Sequence, residues 1–372
     1  MSARIAFWQP VLTDHSVHTF AAAARALGSA PVAFVAAREL AFRREQGWTD
    51  ASAVMPTHIV GAADGARMAE RMLADPHVRH VFGSPFERGP IAGYLAAAAA
   101  RGRETYLVSE PYMTAPVGYN DDRHPLQNRV KAWLRPIAWR RHAARLTGSV
   151  TGVFAISPLA VSQFGRLGYR AIFPFGYFLP PRQAPEPKAT SAGPLKLAYV
   201  GSMIRRKNVG TLLAAMREAP GGIAKLDIFG STPAGFDLDD QPNVRIAGRI
   251  PFGTTRDVLT GYDALVIPSL HDGWGMVVNE AIEAGCAVIA SHQTGASVLV
   301  ESWQCGSTFP AHRADLLAQR IVELARELPR LDAARANARR MAPFLSSEIA
   351  GQYMAACIAA PASAATPAPW YD

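Results

Sequence analysis

Two segments of the chain bring small and charged residues together at spacings that could do chemistry. The first reads Gly201-Ser202-Met203-Ile204-Arg205-Arg206-Lys207-Asn208-Val209, a glycine followed by three consecutive cations. It follows an apolar run ending at Val200 and leads into a helix-compatible stretch from Gly210 to Met216. Guanidinium and ammonium groups beside helix-terminal amides neutralise a diphosphate and donate hydrogen bonds to its oxygens. A solvated basic turn has the same composition, so this segment alone leaves both readings open. The second reads Pro268-Ser269-Leu270-His271-Asp272-Gly273-Trp274-Gly275-Met276-Val277-Val278-Asn279-Glu280-Ala281. Its glycines let the backbone approach a ligand closely. Asp272 and Glu280 flank them as hydrogen-bond acceptors for hydroxyl pairs on a sugar or ribose. With a helix starting near Trp274, Asp272 stands at its entrance, where it could equally be a cap, and Glu280 lies about two turns inside among apolar neighbours.

Chemistry of this kind needs a scaffold that delivers loops to one edge, and the pattern of the chain supplies one. Short apolar runs bounded by turn residues alternate with longer helix-compatible stretches, as in a parallel sheet covered by helices. Strand candidates in the first half are Arg4 to Trp8, Pro31 to Ala36, His80 to Phe82, Glu104 to Ser109 and Gly152 to Ile156, with helices around Thr19 to Leu27 and Ile91 to Ala100. The alternation breaks at a proline-rich stretch beginning Pro180-Pro181-Arg182 and restarts at Leu195 to Val200, Lys225 to Phe229, Val244 to Ile246, Ala264 to Ile267 and Ala287 to Ala290. We expect an N-terminal Rossmann-like domain over 1–178, a linker over 179–194 and a second Rossmann-like domain over 195–343. A helix over 344–360 is expected to pack back on the first domain, with a disordered tail over 361–372. At 372 residues the chain exceeds what one core usually supports.

Hydrophobic residues make up 49% and charged residues 18%, as in an ordinary globular protein, and no apolar run is long enough to span a bilayer. The start of the chain lacks the features of a secretory signal, so a cytoplasmic location is expected. Cys286, Cys305 and Cys357 show neither disulfide nor metal-ligand spacing, and neither a metal nor another cofactor is expected. The net charge of +8 suits anionic partners without choosing among nucleotide diphosphates, lipid headgroups and nucleic acid.

Taken together, the Gly201 to Asn208 loop, the run Tyr262-Asp263-Ala264-Leu265-Val266-Ile267-Pro268-Ser269, the Asp-Gly-Trp-Gly loop with Asn279-Glu280-Ala281, and Gly285, Val288, Ile289 and Ala290-Ser291 resemble glycosyltransferase family 4. The resemblance covers about Leu195 to Val300. It implies an α/β GT-B fold of two facing Rossmann-like domains with a deep interdomain cleft. It also implies metal-free, retaining transfer from a nucleoside diphosphate sugar of UDP or GDP type, an activity of the EC 2.4, hexosyltransferase-like kind. The acceptor would be a glycan or lipid-linked saccharide, in bacterial polysaccharide or glycoconjugate synthesis. In that family two glutamates separated by seven residues bind the donor, and Asp272 and Glu280 occupy the matching positions. By resemblance Asp272 holds a donor-sugar hydroxyl, Glu280 the ribose hydroxyls and the backbone of Gly273, Trp274, Gly275 and Met276 the sugar, with Val277 also in the donor-binding set. Lys207, Asp272 and Glu280 form the implied catalytic set. Lys207 matches the family's diphosphate lysine. Its usual partner arginine, after Gly201, is Ser202 here, leaving Arg205 or Arg206 to supply the second charge. Arg249 lies in the segment that lines the base, and Gly295 in a loop near the donor.

The first half is less legible. The glycine pair and cleft histidine common in the family are missing from it, and His15 and Glu110 are the polar candidates for the acceptor side. The segment Asn128 to Leu146 sets Val130, Trp133, Leu134 and Ile137 at helical spacing among arginines and a lysine, with Pro136 expected to bend it. It suits the surface of an anionic membrane, or equally a helix packed on its own domain with its basic face in water. Competing functions are a nucleotide-sugar epimerase or hydrolase of related fold and a basic nucleic-acid-binding protein. No nucleic-acid-binding module is recognisable, and no Gly-x-Gly-x-x-Gly follows the first strand as a dehydrogenase would require.

Overall fold

A computed structural model describes residues 4–37, 51–84, 89–118, 124–183, 186, 193–231, 238, 241–360 and 367–371. Much of the expected linker therefore lies outside the described residues. The chain forms two compact units. One comprises Met1–Tyr112, Leu134–Pro181 and Ser346–Pro369, the other Met113–Trp133, Arg182–Leu345 and Trp370–Asp372.

The first unit holds a seven-stranded parallel sheet ordered β3-β2-β1-β4-β5-β6-β7, formed by Arg4–Gln9 (β1), Ala30–Val35 (β2), Thr57–Ile59 (β3), Val78–Phe82 (β4), Thr105–Ser109 (β5), Gly152–Ile156 (β6) and Ile172–Phe175 (β7). Its helices are Asp14–Ala26 (α1), Ala63–Ala74 (α2), Pro90–Ala100 (α3) and Pro158–Arg166 (α5); Pro125–Ala143 (α4) begins in the residues of the second unit. The central strands read as continuous apolar runs because both faces are covered: β6, Gly-Val-Phe-Ala-Ile, is buried throughout. Trp8 stacks on Phe34 and Phe82 with ring centroids 4.3 and 5.2 Å apart, which anchors β1 at the centre of the core. Its indole Nε1 donates to His80 Nδ1 at 3.2 Å. Burial, aided by Arg103, lowers the His80 pKa from its ordinary 6.5 to about 4, so this histidine is a neutral core residue.

The second unit holds a six-stranded parallel sheet ordered β10-β9-β8-β11-β12-β13. Its strands are Leu195–Val200 (β8), Ala224–Phe229 (β9), Val244–Gly248 (β10), Ala264–Ile267 (β11), Ala287–Ser291 (β12) and Gly306–Phe309 (β13). Its helices are Val209–Glu218 (α6), Thr255–Leu259 (α7), Val277–Glu283 (α8), Ser297–Ser302 (α9), Ala314–Arg326 (α10) and Leu328–Met341 (α11).

Three strands escape a sequence reading, and each lies at a sheet edge. β3 has only three residues, β7 contains Pro174 and β13 is the polar run Gly-Ser-Thr-Phe. Edge strands tolerate proline and polar residues because one side of their backbone needs no ladder partner. The tail also departs from expectation: Ala368 is 5% exposed, Trp370 is fully buried, and the Trp370 carbonyl accepts a hydrogen bond from Trp303 Nε1 at 3.2 Å.

The last helix, Ser347–Ala359 (α12), belongs to the first unit, where it packs along α1. Gly351 is the point of closest approach, since a Cβ there would sit 2.4 Å from Ala22 Cβ and 2.7 Å from the Ala23 backbone nitrogen. The alanines of α1 and this glycine let the two backbones come together. Gly351→Leu should force the helices apart, with a loss of about 1–3 kcal/mol or more in urea-unfolding stability. Gly93→Leu, at a helical glycine with open space around its Cβ position, should leave the midpoint nearly unchanged.

Candidate functional site

In each sheet the strand order reverses next to the first strand of the unit, between β1 and β4 and between β8 and β11. Loops leaving the carboxyl ends of such neighbours run in opposite directions and open a crevice, which is where ligands bind in this architecture. The two segments singled out from the sequence leave β8 and β11, so the second sheet brings them side by side.

The β8 loop is shaped by close backbone packing. Gly230, at φ +144°, has no room for a side chain, because a Cβ would lie 2.0 Å from the Gly201 carbonyl oxygen. Its amide donates to the Gly248 carbonyl at 2.8 Å, which draws the ends of β8, β9 and β10 together. Beyond Ser202, Arg205–Lys207 form a single 3-10 turn that ends at Asn208 in the left-handed conformation, φ 58° and ψ 37°. Asparagine tolerates that region better than most residues. Its side chain uses the position: Nδ2 donates to the carbonyls of Pro268 (2.9 Å) and Ala311 (2.7 Å), and Oδ1 accepts from Thr211. Asn208 therefore pins the β8 loop to the β11 loop. Sequence reasoning placed Asn208 in the loop but gave it no role; an asparagine directly before a helix was the available signal.

The pinned loops bring three of the expected residues into contact. Lys207 Nζ meets Asp272 Oδ2, and Arg206 lies 3.8 Å from Asp272 Oδ1 while donating to the His271 carbonyl at 2.9 Å. Arg206 is buried whereas Arg205 is exposed, so Arg206 supplies the second cation beside Lys207. Burial alone would push the Asp272 pKa up, but Lys207 and Arg206 outweigh it and hold the carboxyl below its ordinary value. The Asp272 backbone is fixed as well, donating to the Gln293 carbonyl and accepting from Gly295, each at 3.0 Å.

Gly275 has φ +91°, and a Cβ there would lie 2.9 Å from Thr294 Cγ2 and 3.2 Å from Ile267 Cδ1, so both conformation and space require glycine. Trp274 is 1% exposed and its Nε1 donates to Asn279 Oδ1 at 2.8 Å, which makes it an internal brace of the loop. Gly273 is buried; Ser202, Met276 and Val277 are partly accessible.

The helix after this loop, α8, starts at Val277 and not near Trp274. Asp272 is consequently no cap, and Glu280 sits in the first turn and not two turns inside. The tight packing of Trp274 and Gly275 keeps the preceding backbone out of helical geometry. Glu280 does not join the Lys207 cluster. It hydrogen-bonds Thr255 at the start of α7 and lies near Glu283, whose carboxylate contacts Arg256 Nη1. Burial raises the pKa of both Glu280 and Glu283 from 4.5 to about 7, with Glu283 adding to the rise at Glu280. Thr255, Arg256 and Glu283 had no motif to mark them in the sequence. Arg249, one residue past β10, is exposed.

In the first unit, His15 and Glu110 line one cavity of about 300 Å³ together with Gln9, Ser16, Trp139 and Tyr177. The cavity opens where β1, β4 and β5 end and α1 begins.

Residues 194–327 match the family model described as glycosyl transferases group 1. The D-inositol 3-phosphate glycosyltransferase of Rhodococcus opacus (strain B4) is 35% identical over 168 residues, which is 41% of this chain and 38% of that relative's length. Among solved structures, Anabaena HepE in complex with UDP aligns with a TM-score of 0.65 at 15% identity over 96% of this chain and 100% of that one. WaaG, a glycosyltransferase involved in lipopolysaccharide biosynthesis, aligns at 0.61 and 16% identity over 95% and 99%. The sucrose-phosphate synthase of Thermosynechococcus elongatus aligns at 0.63 and 17% identity over 94% and 97%. The two parallel sheets are thus those of the GT-B fold, and the second of them carries the sequence pattern of the group 1 glycosyl transferases.

Proposed function

We propose that the chain is a retaining glycosyltransferase that moves a sugar from a nucleoside diphosphate sugar, of UDP or GDP type, to a hydroxyl of a glycan or lipid-linked saccharide in bacterial polysaccharide or glycoconjugate synthesis. The observation that carries this reading is the contact of Lys207 with Asp272 beside Arg206, built on the segment that matches the group 1 family model. Two cations held at the carboxyl edge of a sheet neutralise a departing diphosphate, and fixed charges of this kind act without reorganising during the reaction. The acceptor oxygen bonds the anomeric carbon as the bond from that carbon to the diphosphate breaks, and the acceptor hydroxyl proton is released. Asp272, kept ionised and oriented by its cations, has lone pairs left for a donor-sugar hydroxyl. The UDP and UDP-glucose complexes of the structural neighbour HepE favour a UDP-type donor. An epimerase or hydrolase would use a similar donor site, but the polar cavity of the first unit favours a reaction with an acceptor.

Peripheral membrane association is favoured by α4. Leu126, Val130, Trp133, Leu134 and Ile137 form a single stripe along this helix and are 75, 56, 71, 45 and 42% exposed. The opposite side, Ala132, Trp139 and Ala143, is the buried one. A helix packed on its own unit with only its basic face in water would show the reverse. Arg129, Lys131, Arg140, Arg141 and Arg145 are also exposed, each adding about 1 kcal/mol of attraction to an anionic surface. Among the described residues no helix is long and apolar enough to cross a membrane.

Three outcomes are expected. Thermal-shift screening against UDP-, GDP-, ADP- and dTDP-sugars should single out one donor, which at 100 times its Kd stabilises the fold by about 2.7 kcal/mol. With that donor, Lys207→Ala should reduce kcat by about 10²-fold or more while the unfolding midpoint stays near wild type; full activity in Lys207→Ala would refute the assignment.

The second outcome concerns pH. With its pKa raised to about 7, Glu280 in the empty site is half-protonated near neutrality, whereas ribose hydroxyls donate to its ionised form. UDP affinity should therefore fall about tenfold per pH unit below 7 and level off above it. Calorimetry in buffers of different ionisation enthalpy should register proton release on binding, and Glu280→Gln should remove most of both effects. For stability the sign is opposite: the empty folded state holds more protons than the unfolded state between pH 4.5 and 7, so the contribution of this carboxyl declines as pH rises through that window.

Third, the full chain should float with vesicles containing phosphatidylglycerol and not with phosphatidylcholine alone. Trp133→Ala with Ile137→Ser should abolish flotation, as should 0.5 M salt, by screening.

A further inference from the structure

The cavity of the first unit has a chemical character of its own. Among the described residues no lysine or arginine lines it, and its ionisable side chains are Glu110, His15 and Tyr177. Its most obvious anion receptor, the start of α1, is partly taken up by its own first turn. Ser16 Oγ accepts from the Thr13 amide at 3.2 Å, the Ser16 and Val17 amides both donate to the Thr13 carbonyl at 2.9 Å, and Asp14 adds a negative charge to the first turn. A phosphate would find no lysine or arginine among the described lining residues, and would face the Glu110 side chain.

What the cavity offers is the surface that a sugar ring uses. His15 and Tyr177 meet edge to face with centroids 4.3 Å apart, and Trp139 forms another part of the wall. Aromatic walls take the apolar C–H faces of a pyranose or cyclitol, and a few polar groups fix its hydroxyls. Gln9, also on the wall, carries a buried Nε2 with no hydrogen-bond partner among the described residues. A buried donor left in that state is destabilising, and a ligand hydroxyl would relieve it.

We infer that this cavity binds an uncharged, polyhydroxylated acceptor, a sugar ring or polyol without a phosphate group. The inference rests on the transferase reading above and adds the acceptor class to it. It also separates this chain from the relative named for D-inositol 3-phosphate.

The test is saturation-transfer NMR on the full chain with its donor site filled by UDP. The probes are the methyl glycosides of glucose, galactose, mannose and N-acetylglucosamine, and myo-inositol, each beside its phosphate ester, with D-inositol 3-phosphate included. At least one neutral probe should bind, with its phosphate ester at least tenfold weaker. Gln9→Leu and Tyr177→Ala should each weaken the neutral probe about tenfold while leaving the Kd for UDP unchanged, which also reports that the variants fold. The inference is overturned if a phosphate ester binds as well as its neutral partner, if no neutral probe binds, or if both variants bind the neutral probe like wild type. In each of those cases retained UDP binding leaves the donor assignment standing. Failure of the wild-type chain to bind any nucleotide would overturn the donor assignment instead.

Discussion

Everything at the carboxyl edge of the second sheet depends on β8 and β11 being neighbours. They are separated in sequence by two strands that pair outward, β9 and β10, and the chain must cross back over the sheet before β11 can pair with β8. That reversal places the loops Gly201–Asn208 and Pro268–Met276 on either side of one crevice. Right-handed crossovers fix which face each helix covers, so the geometry follows from topology before any side chain is considered. Asn208 then converts proximity into a fixed relation, since one amide group joins the β8 loop to the carbonyls of Pro268 and Ala311.

Within that frame the Lys207–Asp272 contact balances buried charge. Arg206 is 8% exposed and the carboxylate of Asp272 is held almost as deeply, a position that neither could occupy alone without a large desolvation cost. The pairing explains how a chain lacking the arginine expected beside Gly201 keeps two cations at this edge. The second of them is Arg206, from the 3-10 turn. The short aspartate side chain reaches the lysine because its backbone is clamped by Gln293 and Gly295. Glu280 works in a different environment. Its neighbours include a second carboxylate, and burial favours its neutral form, so the two acidic residues of one motif have pKa values moved in opposite directions.

The first unit builds the same crevice with other chemistry. β1 and β4 diverge as β8 and β11 do, but α1 begins with a capped turn and an acidic residue in place of a glycine-rich anion loop. The packing of α12 on α1 through Gly351 and the alanines sets where that turn sits, so the last helix of the chain helps to position its first loop.

The parallel α/β class, the two successive sheets and the two loops at the carboxyl edge of the second were legible in the sequence alone. Strands buried on both faces must be continuously apolar, and glycines at loop turns leave a local mark. Resemblance to a known family joined Lys207, Asp272 and Glu280 as one expected set. Tertiary structure alone decided that Lys207 and Asp272 touch while Glu280 stands with Thr255, Arg256 and Glu283. It decided too that Arg206 and not Arg205 turns inward, that α8 begins at Val277, and that the apolar stripe of α4 faces outward. These are matters of which residues distant in the chain come within a few ångströms of one another, and local periodicity carries no information about that. The polar edge strands and the buried Trp370 were illegible for the same reason: what satisfies them lies in other parts of the chain.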